Sequence, residues 1–230
     1  MDGLINVIVN RDNLNDAFEK VRKNKGAAGV DAKDIEATRQ YLKENKVQII
    51  EAIRTGKYKP QPVRRVEIPK PDGGKRLLGI PTVTDRVIQQ AVVQVLTPIL
   101  DPKFSNYSYG FRPNKSAHQA IEQARSYIEE GYTYVVDIDL EKFFDKVQHD
   151  KLMSLMAKYI LCKPTLKLIR SFLNAGTMID GTFIYAKEGT PQGGPLSPLL
   201  SNVILHELDK ELGNHLHFEL SYDGNIVNPL

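Results

Sequence analysis

The 230-residue sequence contains a single cysteine, Cys162, and no long run of apolar residues. One cysteine excludes an intramolecular disulfide and a cysteine-rich zinc module, and it is typical of a reducing compartment. We interpret Cys162 as a small buried hydrophobic residue. The first twenty residues lack the pattern of a secretory signal, and no segment approaches the ~20 apolar residues that span a bilayer. We expect a soluble cytoplasmic protein with no membrane partner.

The sequence also lacks a large excess of charge, since its formal net charge is only +3. Global charge is therefore a weak argument for a nucleic-acid partner. The distribution is more informative, because residues 54–76 contain eight basic and two acidic residues. The basic residues are Arg54, Lys57, Lys59, Arg64, Arg65, Lys70, Lys75 and Arg76. Such a stripe suits a phosphate backbone, and a merely solvated face is an equally good interpretation at this point.

Apolar residues at helical spacing predict several amphipathic helices, and the hydrophobic content of 41% is ordinary for a globular core. Capping residues and prolines suggest the helix ends. Seven helices are predicted. The first begins after Asn13, the second covers 34–54 with a break near Asn45, the third runs from Thr84 or Asp85 to Pro98, and the fourth begins at Ser116. The last three cover 149–159, 165–174 and 196–212.

Four segments have residues that are typical of strands. VRRVEIPK and KRLLGIP flank the turn residues PDGG, which predicts a hairpin with its tip at 71–74 and with Lys70, Lys75 and Arg76 near one another. TMIDGTFIY predicts a second hairpin, turning at Asp180 and Gly181. The segment 132–139 is predicted to be a strand that ends in two acids.

Strand alternation places Asp137 and Asp139 on one face at the end of that strand. Clustered carboxylates are most stable with a cation between them, and such oxygen ligands suit Mg²⁺. Metal-assisted phosphoryl transfer is the corresponding hypothesis. By spacing alone, two solvated acids at a strand end explain the pattern as well.

Longer motifs decide between these alternatives. GVD at 29–31, IPKPDGGKRLLGIPTVTDRVIQQA, SYGFRP, VVDIDLEKFFDKVQHDKL and GTPQGGPLSPLLSN occur in this order. Over residues 14–212 the chain resembles the group II intron reverse transcriptases, and several long motifs in series are specific. The resemblance implies an α+β right-hand polymerase. Its fingers would consist of helices plus the basic β-hairpin at 1–128, followed by an incomplete palm at 129–212 and an unrelated or diverged tail at 213–230.

The resemblance also implies roles for single residues. Asp139 matches the first catalytic, Mg²⁺-binding aspartate of the palm. Leu140, at the nucleotide site, would either lend its backbone carbonyl or lie under the metals, and Phe144 matches the steric gate that selects deoxynucleotides. Lys70 and Arg76 match the fingers residues that bind the incoming triphosphate, and their cationic groups suit it.

The remaining matches concern the nucleic acid and the scaffold. Arg64, Arg65 and Lys75 are expected to contact the template backbone. Gln192, followed by Gly193 and Gly194, matches the block beside the templating base pair, with a plain helix N-terminus as the alternative. Arg112 in GFRP is expected to have a structural role, bracing fingers against palm.

The sequence departs from the family after residue 212. In place of the Tyr-Ala-Asp-Asp motif stands SYDGN, in which Tyr222 fits the family tyrosine but Gly224 and Asn225 occupy the aspartate positions, with Asp223 displaced. The last eighteen residues instead resemble the end of lysostaphin-type zinc endopeptidases, whose histidines would correspond to His215 and His217. Without a third ligand, we interpret this pair as a vestige on a strand.

These observations lead to three functional hypotheses. The first is a truncated RNA-directed DNA polymerase homologue for RNA template, DNA primer and deoxynucleotides. Its two-metal phosphoryl transfer is expected to be weak or absent, because Asp139 alone leaves the metals under-neutralised. The second is an RNA-binding remnant or a maturase fragment that assists splicing of group II intron RNA. The third, a zinc peptidase, has the least support.

Overall fold

The structure is a computed structural model that describes residues 3–69, 73, 75–179, 181–186, 188–190, 193–215, 220–222 and 225–227. It is an α+β protein, as predicted. The helices of the described part are α1 (Gly3–Ile8), α2 (Arg11–Lys23), α3 (Ile35–Arg54), α4 (Val83–Leu100), α5 (Ala117–Glu129), α6 (His149–Tyr159), α7 (Lys163–Leu173) and α8 (Leu196–His215). Short 3₁₀ turns cover Asp101–Lys103 and Phe143–Asp145.

Both predicted hairpins are present. The strands are β1 (Val63–Pro69), β2 (Lys75–Ile80), β3 (Thr177–Ile179), β4 (Thr182–Ile184), β5 (Leu220–Tyr222) and β6 (Asn225–Val227). The first four form one sheet in the order β2-β1-β3-β4, in which β1 and β3 run parallel and both hairpins are antiparallel. Most of the first tip, residues 70–72 and 74, and the turn residue Asp180 lie outside the described residues.

Helix α4 lies at the centre of the core. Eleven of its eighteen residues are buried, and it packs against α1, α2, α3 and α8. Its apolar residues join those of α6, α7 and α8 in one continuous cluster. Burial of this much apolar surface is the main driving force for the fold. Cys162 belongs to the same cluster, as predicted.

Several predicted helix ends are wrong by a few residues. Asn10, and not Asn13, caps α2, because its side chain accepts the Asp12 N–H. Asn13 lies inside the helix, where its amide donates to the carbonyls of Ile8 and Ala91. Helix α4 continues through Pro98, whose missing N–H costs only one hydrogen bond so close to the helix end.

Two further helices bear on the predictions. Helix α3 is continuous, and the Asn45 amide, instead of breaking it, donates to the Tyr41 carbonyl. Ser116 caps α5 in a capping box with Gln119, as predicted. None of the described helices is long and apolar enough to cross a membrane.

The predicted strand at 132–139 is wrong. The structure assigns no regular element to residues 132–140, and every one of them is exposed. Val135 and Val136 are 86% and 77% exposed in spite of their β propensity. A strand is stable only when its backbone groups pair with a neighbour, and no strand among the described residues pairs with this segment.

Candidate functional site

The two strands of the basic hairpin pair as the sequence predicts, whereas the predicted proximity of Lys70, Lys75 and Arg76 rests on side chains outside the described ones. β1 and β2 pair from Arg64 opposite Ile80 to Pro69 opposite Lys75. Because side chains alternate along a strand, Arg64 and Arg65 lie on opposite faces. Arg64 is exposed and Arg65 is half-buried. The hairpin therefore offers cationic groups on both of its faces.

The two predicted triphosphate-binding residues are only partly placed. The main chain of Arg76 pairs with Ile68 in the hairpin, and Lys70 lies outside the described residues. Lys75 forms an ion pair with Glu67 across the hairpin, and this hydrogen bond raises the pKa of the lysine. Both side chains of the pair are more than half exposed, so the pair contributes little to stability.

A glycine loop lies against the hairpin. A Cβ on Gly193 would be 2.6 Å from the Gly79 carbonyl oxygen of β2, and one on Gly194 would be 2.4 Å from the Gln89 side chain of α4. The Leu196 N–H donates to the same Gln89 oxygen at 3.4 Å. These glycines permit the close backbone approach that the sequence suggests for them. Gln192 itself lies outside the described residues.

The other end of this loop is attached to the segment that carries Phe144. The Thr190 N–H donates to the Phe144 carbonyl at 2.7 Å, and the Gly189 N–H donates to the Val147 carbonyl at 2.7 Å. Phe144 lies in a 3₁₀ turn, half-buried, with its ring edge-to-face against Phe143 at 5.5 Å. Gly189 and Thr190 at one end of loop 189–194 thus contact the Phe144 segment, and Gly193 at its other end contacts the hairpin; residues 191 and 192 lie outside the described residues.

His149 completes this contact. Its ring Nε2 lies 2.7 Å from the Gly189 carbonyl oxygen, and the residue is buried as the first residue of α6. We did not predict a role for His149 from the sequence. Its partner is forty positions away, so no local spacing reveals the contact.

The predicted catalytic aspartate is in an open position. Asp139 and Asp137 are both exposed, in the segment without regular structure. Leu140, which is 42% exposed, lines a shallow cavity of about 460 Å³ with Phe143, Lys146 and Ile204. Among the described residues no three metal-ligating side chains come together.

A buried polar network is centred on Asp85, next to the segment that leads into the hairpin. The Asp85 carboxylate, 1% exposed, accepts hydrogen bonds from the Tyr58 hydroxyl, the Gln61 N–H and the Thr82 hydroxyl. Burial raises the pKa of Asp85, although these hydrogen bonds oppose the shift. The network connects the segment between α3 and β1 to the start of α4. The sequence predicts Thr84 or Asp85 as the cap of α4, whereas the cap is Thr82, whose hydroxyl accepts the Asp85 N–H.

Arg112 has structural contacts, but its hydrogen bonds are local and do not show the predicted bracing of fingers against palm. Its guanidinium donates to the Asp101 carboxylate at 2.8 Å and to the carbonyls of Asp101, Ser105 and Ser108. The side chain is 6% exposed and lies over the Phe104 ring. Arg112 therefore fixes the loop that follows α4.

The structure describes only part of the segment after residue 212. His215 is the last residue of α8, so the prediction that it lies on a strand is wrong. His217 and Asp223 lie outside the described residues, and Tyr222 ends β5. β5 and β6 pair with each other between Leu220–Tyr222 and Asn225–Val227.

Comparison with known proteins places the chain in a family. Residues 68–225 match the family model described as reverse transcriptase (RNA-dependent DNA polymerase). Over 198 residues the chain is 40% identical to the group II intron-encoded protein LtrA of Lactococcus lactis subsp. cremoris, covering 84% of this chain and 32% of that protein. It is 36% identical to the protein YkfC of Escherichia coli (strain K12), covering 91% and 56% respectively.

A similar solved structure agrees with these relatives. It is described as a partial Cas6-RT-Cas1--Cas2 complex and matches with a TM-score of 0.61 at 28% identity, over 92% of this chain and 35% of that chain. This chain spans between about a third and just over half of the length of the two relatives named above. Its architecture is that of the fingers and palm region of a reverse transcriptase. The chain therefore belongs to the reverse transcriptase (RNA-dependent DNA polymerase) family, with relatives encoded by group II introns.

Proposed function

We propose that this chain binds an RNA template, a DNA primer and a deoxynucleotide as a group II intron reverse transcriptase does, but does not complete the two-metal chemistry by itself. The observation that carries the proposal is the contact of loop 189–194 with both the basic hairpin and the Phe144 segment. This contact supports the proposal because it connects the hairpin and the Phe144 segment, to which we assign substrate binding, whereas no group of three metal-ligating side chains is found among the described residues.

The hairpin is proposed to bind the substrates' phosphates. Lys70 and Arg76 are assigned to the incoming triphosphate, and Arg64, Arg65 and Lys75 to the template backbone. Arg64 and Lys75 are exposed, so phosphates can reach them without a rearrangement of the core. Guanidinium groups bind phosphate oxygens through two parallel hydrogen bonds, and lysine acts as a point charge.

The Phe144 ring is proposed to be the steric gate against a ribose 2′-hydroxyl, with Leu140 and Gln192 completing the nucleotide pocket. The backbone hydrogen bond from Thr190 supports this assignment, because it fixes the main chain of Phe144 beside the glycine loop. A half-buried ring held in this way offers a rigid surface to the nucleotide sugar.

Catalysis is the part proposed to be deficient. Asp139 would be one Mg²⁺ ligand, and Mg²⁺ would supply charge stabilisation to the transferred phosphoryl group. The family match extends to residue 225, which favours a diverged palm segment over an unrelated tail. In that segment Gly224 has no ligand atom and Asn225 has no negative charge. The second carboxylate that the metals need is therefore missing from its family position.

Primer extension on an RNA template with Mg²⁺ tests the catalytic part. The expected result is no extension above background by the wild-type chain. Robust synthesis that Asp139→Ala abolishes would contradict the proposed deficiency and would establish polymerase activity.

RNA binding is tested by a filter-binding series over salt concentration. Charge reversal of Arg64, Arg65 and Lys75 is expected to reduce the salt slope by roughly two to three units, since each phosphate contact contributes about 0.7 to 0.9. The matched control reverses Lys23, Lys43 and Lys46, which are also exposed but lie on α2 and α3. An equal reduction of the salt slope in both triple variants would contradict specific RNA binding by the hairpin.

A non-catalytic RNA-binding or splicing role is the second candidate, favoured by the same hairpin. It predicts RNA binding without any preference for deoxynucleotides. The peptidase hypothesis for His215 and His217 is tested separately by elemental analysis. One zinc ion per purified chain would support that hypothesis.

A further inference from the structure

Three short hydrogen bonds join two segments that are forty residues apart in the chain. The Gly189 and Thr190 N–H groups donate to the carbonyls of Val147 and Phe144, both at 2.7 Å, and the His149 ring bonds to the Gly189 carbonyl at 2.7 Å. We name these five residues, Phe144, Val147, His149, Gly189 and Thr190, the loop latch. Every bond in it involves a main-chain group of the segment or the loop, so the latch fixes backbone positions.

The position of Gly189 leaves no room for a side chain. Its φ is +88°, and a Cβ would lie 2.9 Å from the Asp145 carbonyl oxygen and 3.1 Å from that of Phe144. Both the close approach and the left-handed backbone require glycine. The loop therefore lies directly on the main chain that follows Phe144.

The ring of His149 is suited to hold the loop there. His149 is 4% exposed, and as the first residue of α6 it is fixed by a helix whose Leu152 and Met156 are buried in the core. A carbonyl oxygen only accepts hydrogen bonds, so Nε2 carries the proton. A buried carbonyl that lost this donor would be left without its partner, which is costly.

We propose that His149 is a positioning residue that, by holding the Gly189 carbonyl, sets Phe144 against the glycine loop. The consequence for the sugar preference rests on the proposed function, in which Phe144 is the steric gate. His149 itself does not contact the nucleotide. Its effect passes through Gly189 and Thr190 to the carbonyl of Phe144.

Backbone amide hydrogen exchange in the intact chain tests the latch without reference to any activity. His149→Phe retains an aromatic ring but has no donor, whereas His149→Gln retains an N–H donor. His149→Phe is expected to speed exchange of the Gly189 and Thr190 amides about tenfold, as loss of one buried hydrogen bond implies. His149→Gln is expected to restore most of the protection.

The Ile169 and Leu173 amides of the buried helix α7 are the internal reference, and their exchange should remain unchanged. Unchanged exchange at Gly189 and Thr190 in His149→Phe would overturn the proposal. Equal acceleration at Ile169 and Leu173 would also overturn it, because His149 would then stabilise the whole fold.

A second measurement distinguishes the positioning role of His149 from the proposed steric-gate role of Phe144. The ratio of deoxynucleotide to ribonucleotide binding on an RNA template and DNA primer is compared among wild type, Phe144→Ala and His149→Phe. Phe144→Ala is expected to reduce the ratio most, His149→Phe several-fold, and His149→Gln little. If Phe144→Ala changes the ratio and His149→Phe does not, the positioning role is refuted. If Phe144→Ala has no effect, the proposed gate fails, and amide exchange still decides whether His149 holds the loop.

Discussion

Gly29 of the GVD motif is the position at which the structure predicts the clearest stability effect. The residue is buried, and a Cβ there would lie 2.6 Å from the Thr82 Cα, 2.7 Å from the Thr82 N and 3.0 Å from the Pro81 carbonyl carbon. All three are backbone atoms, so no side-chain rotation relieves the contact. Gly29→Ala must therefore push the start of α4 away.

The cost of this change follows from what Thr82 does. Overpacking of a buried position costs about 1–3 kcal/mol. Thr82 also caps α4 and donates to the Asp85 carboxylate, and disturbing a helix cap costs on the order of 1 kcal/mol. We expect a total near 3 kcal/mol, which for a chain of this size lowers the Tm by roughly 6–12 °C.

Thermal and urea unfolding followed by circular dichroism measure this effect. The matched control is Gly110→Ala, because Gly110 is exposed, has no positive φ and has no heavy atom within 4 Å of the added Cβ. That variant is expected to melt within about 4 °C of wild type, since an unstrained Gly→Ala change is worth at most about 1 kcal/mol. If Gly29→Ala and Gly110→Ala have the same Tm, the close contact at Thr82 does not constrain the fold.

Three further predictions follow from buried polar groups. Asp85→Ala leaves three donors without an acceptor and is expected to destabilise the fold by about 3 kcal/mol in urea unfolding, whereas a loss below 1 kcal/mol would contradict the network. Arg112→Lys retains the charge but not the fork of hydrogen bonds, so we expect a loss of about 2 kcal/mol, and a neutral result would show that charge alone suffices. Burial lowers the pKa of His206 below its ordinary 6.5, so the unfolded chain binds this proton more tightly and stability should fall as pH drops below about 6.5. His206→Gln should reduce the pH dependence of the free energy of unfolding below about pH 6.5. An unchanged pH dependence would mean that other groups cause it.

The elements that sequence analysis predicted well have local causes. The hairpin of β1 and β2 follows from alternating residues around PDGG, and the capping box of Ser116 and Gln119 needs only four consecutive residues. A structural role of Arg112 was likewise predicted from its motif, although its hydrogen bonds are local. Errors of a few residues at helix ends arose where tertiary contacts of Asn13 compete with local capping.

The predictions at the candidate site had a different outcome. The family motifs identified Asp139, Phe144 and the basic hairpin, but alternation could not determine whether residues 132–139 would pair as a strand. The sequence also did not reveal His149, Gln89 or the three hydrogen bonds on Asp85. Apart from the Thr82–Asp85 bond, which spans three residues, each of these contacts joins residues at least 24 positions apart, so no periodicity or spacing indicates it.

By itself, the sequence determined the family, the described helices other than α1, both hairpins and the loss of carboxylates at residues 224 and 225, because these depend on residue identity and short-range backbone preference. Only the tertiary structure decided that Asp139 lies in an exposed, unpaired segment and that loop 189–194 connects the hairpin to Phe144. Strand pairing and buried hydrogen bonds between distant segments depend on which surfaces the folded core brings together. Local propensity carries no information about that choice.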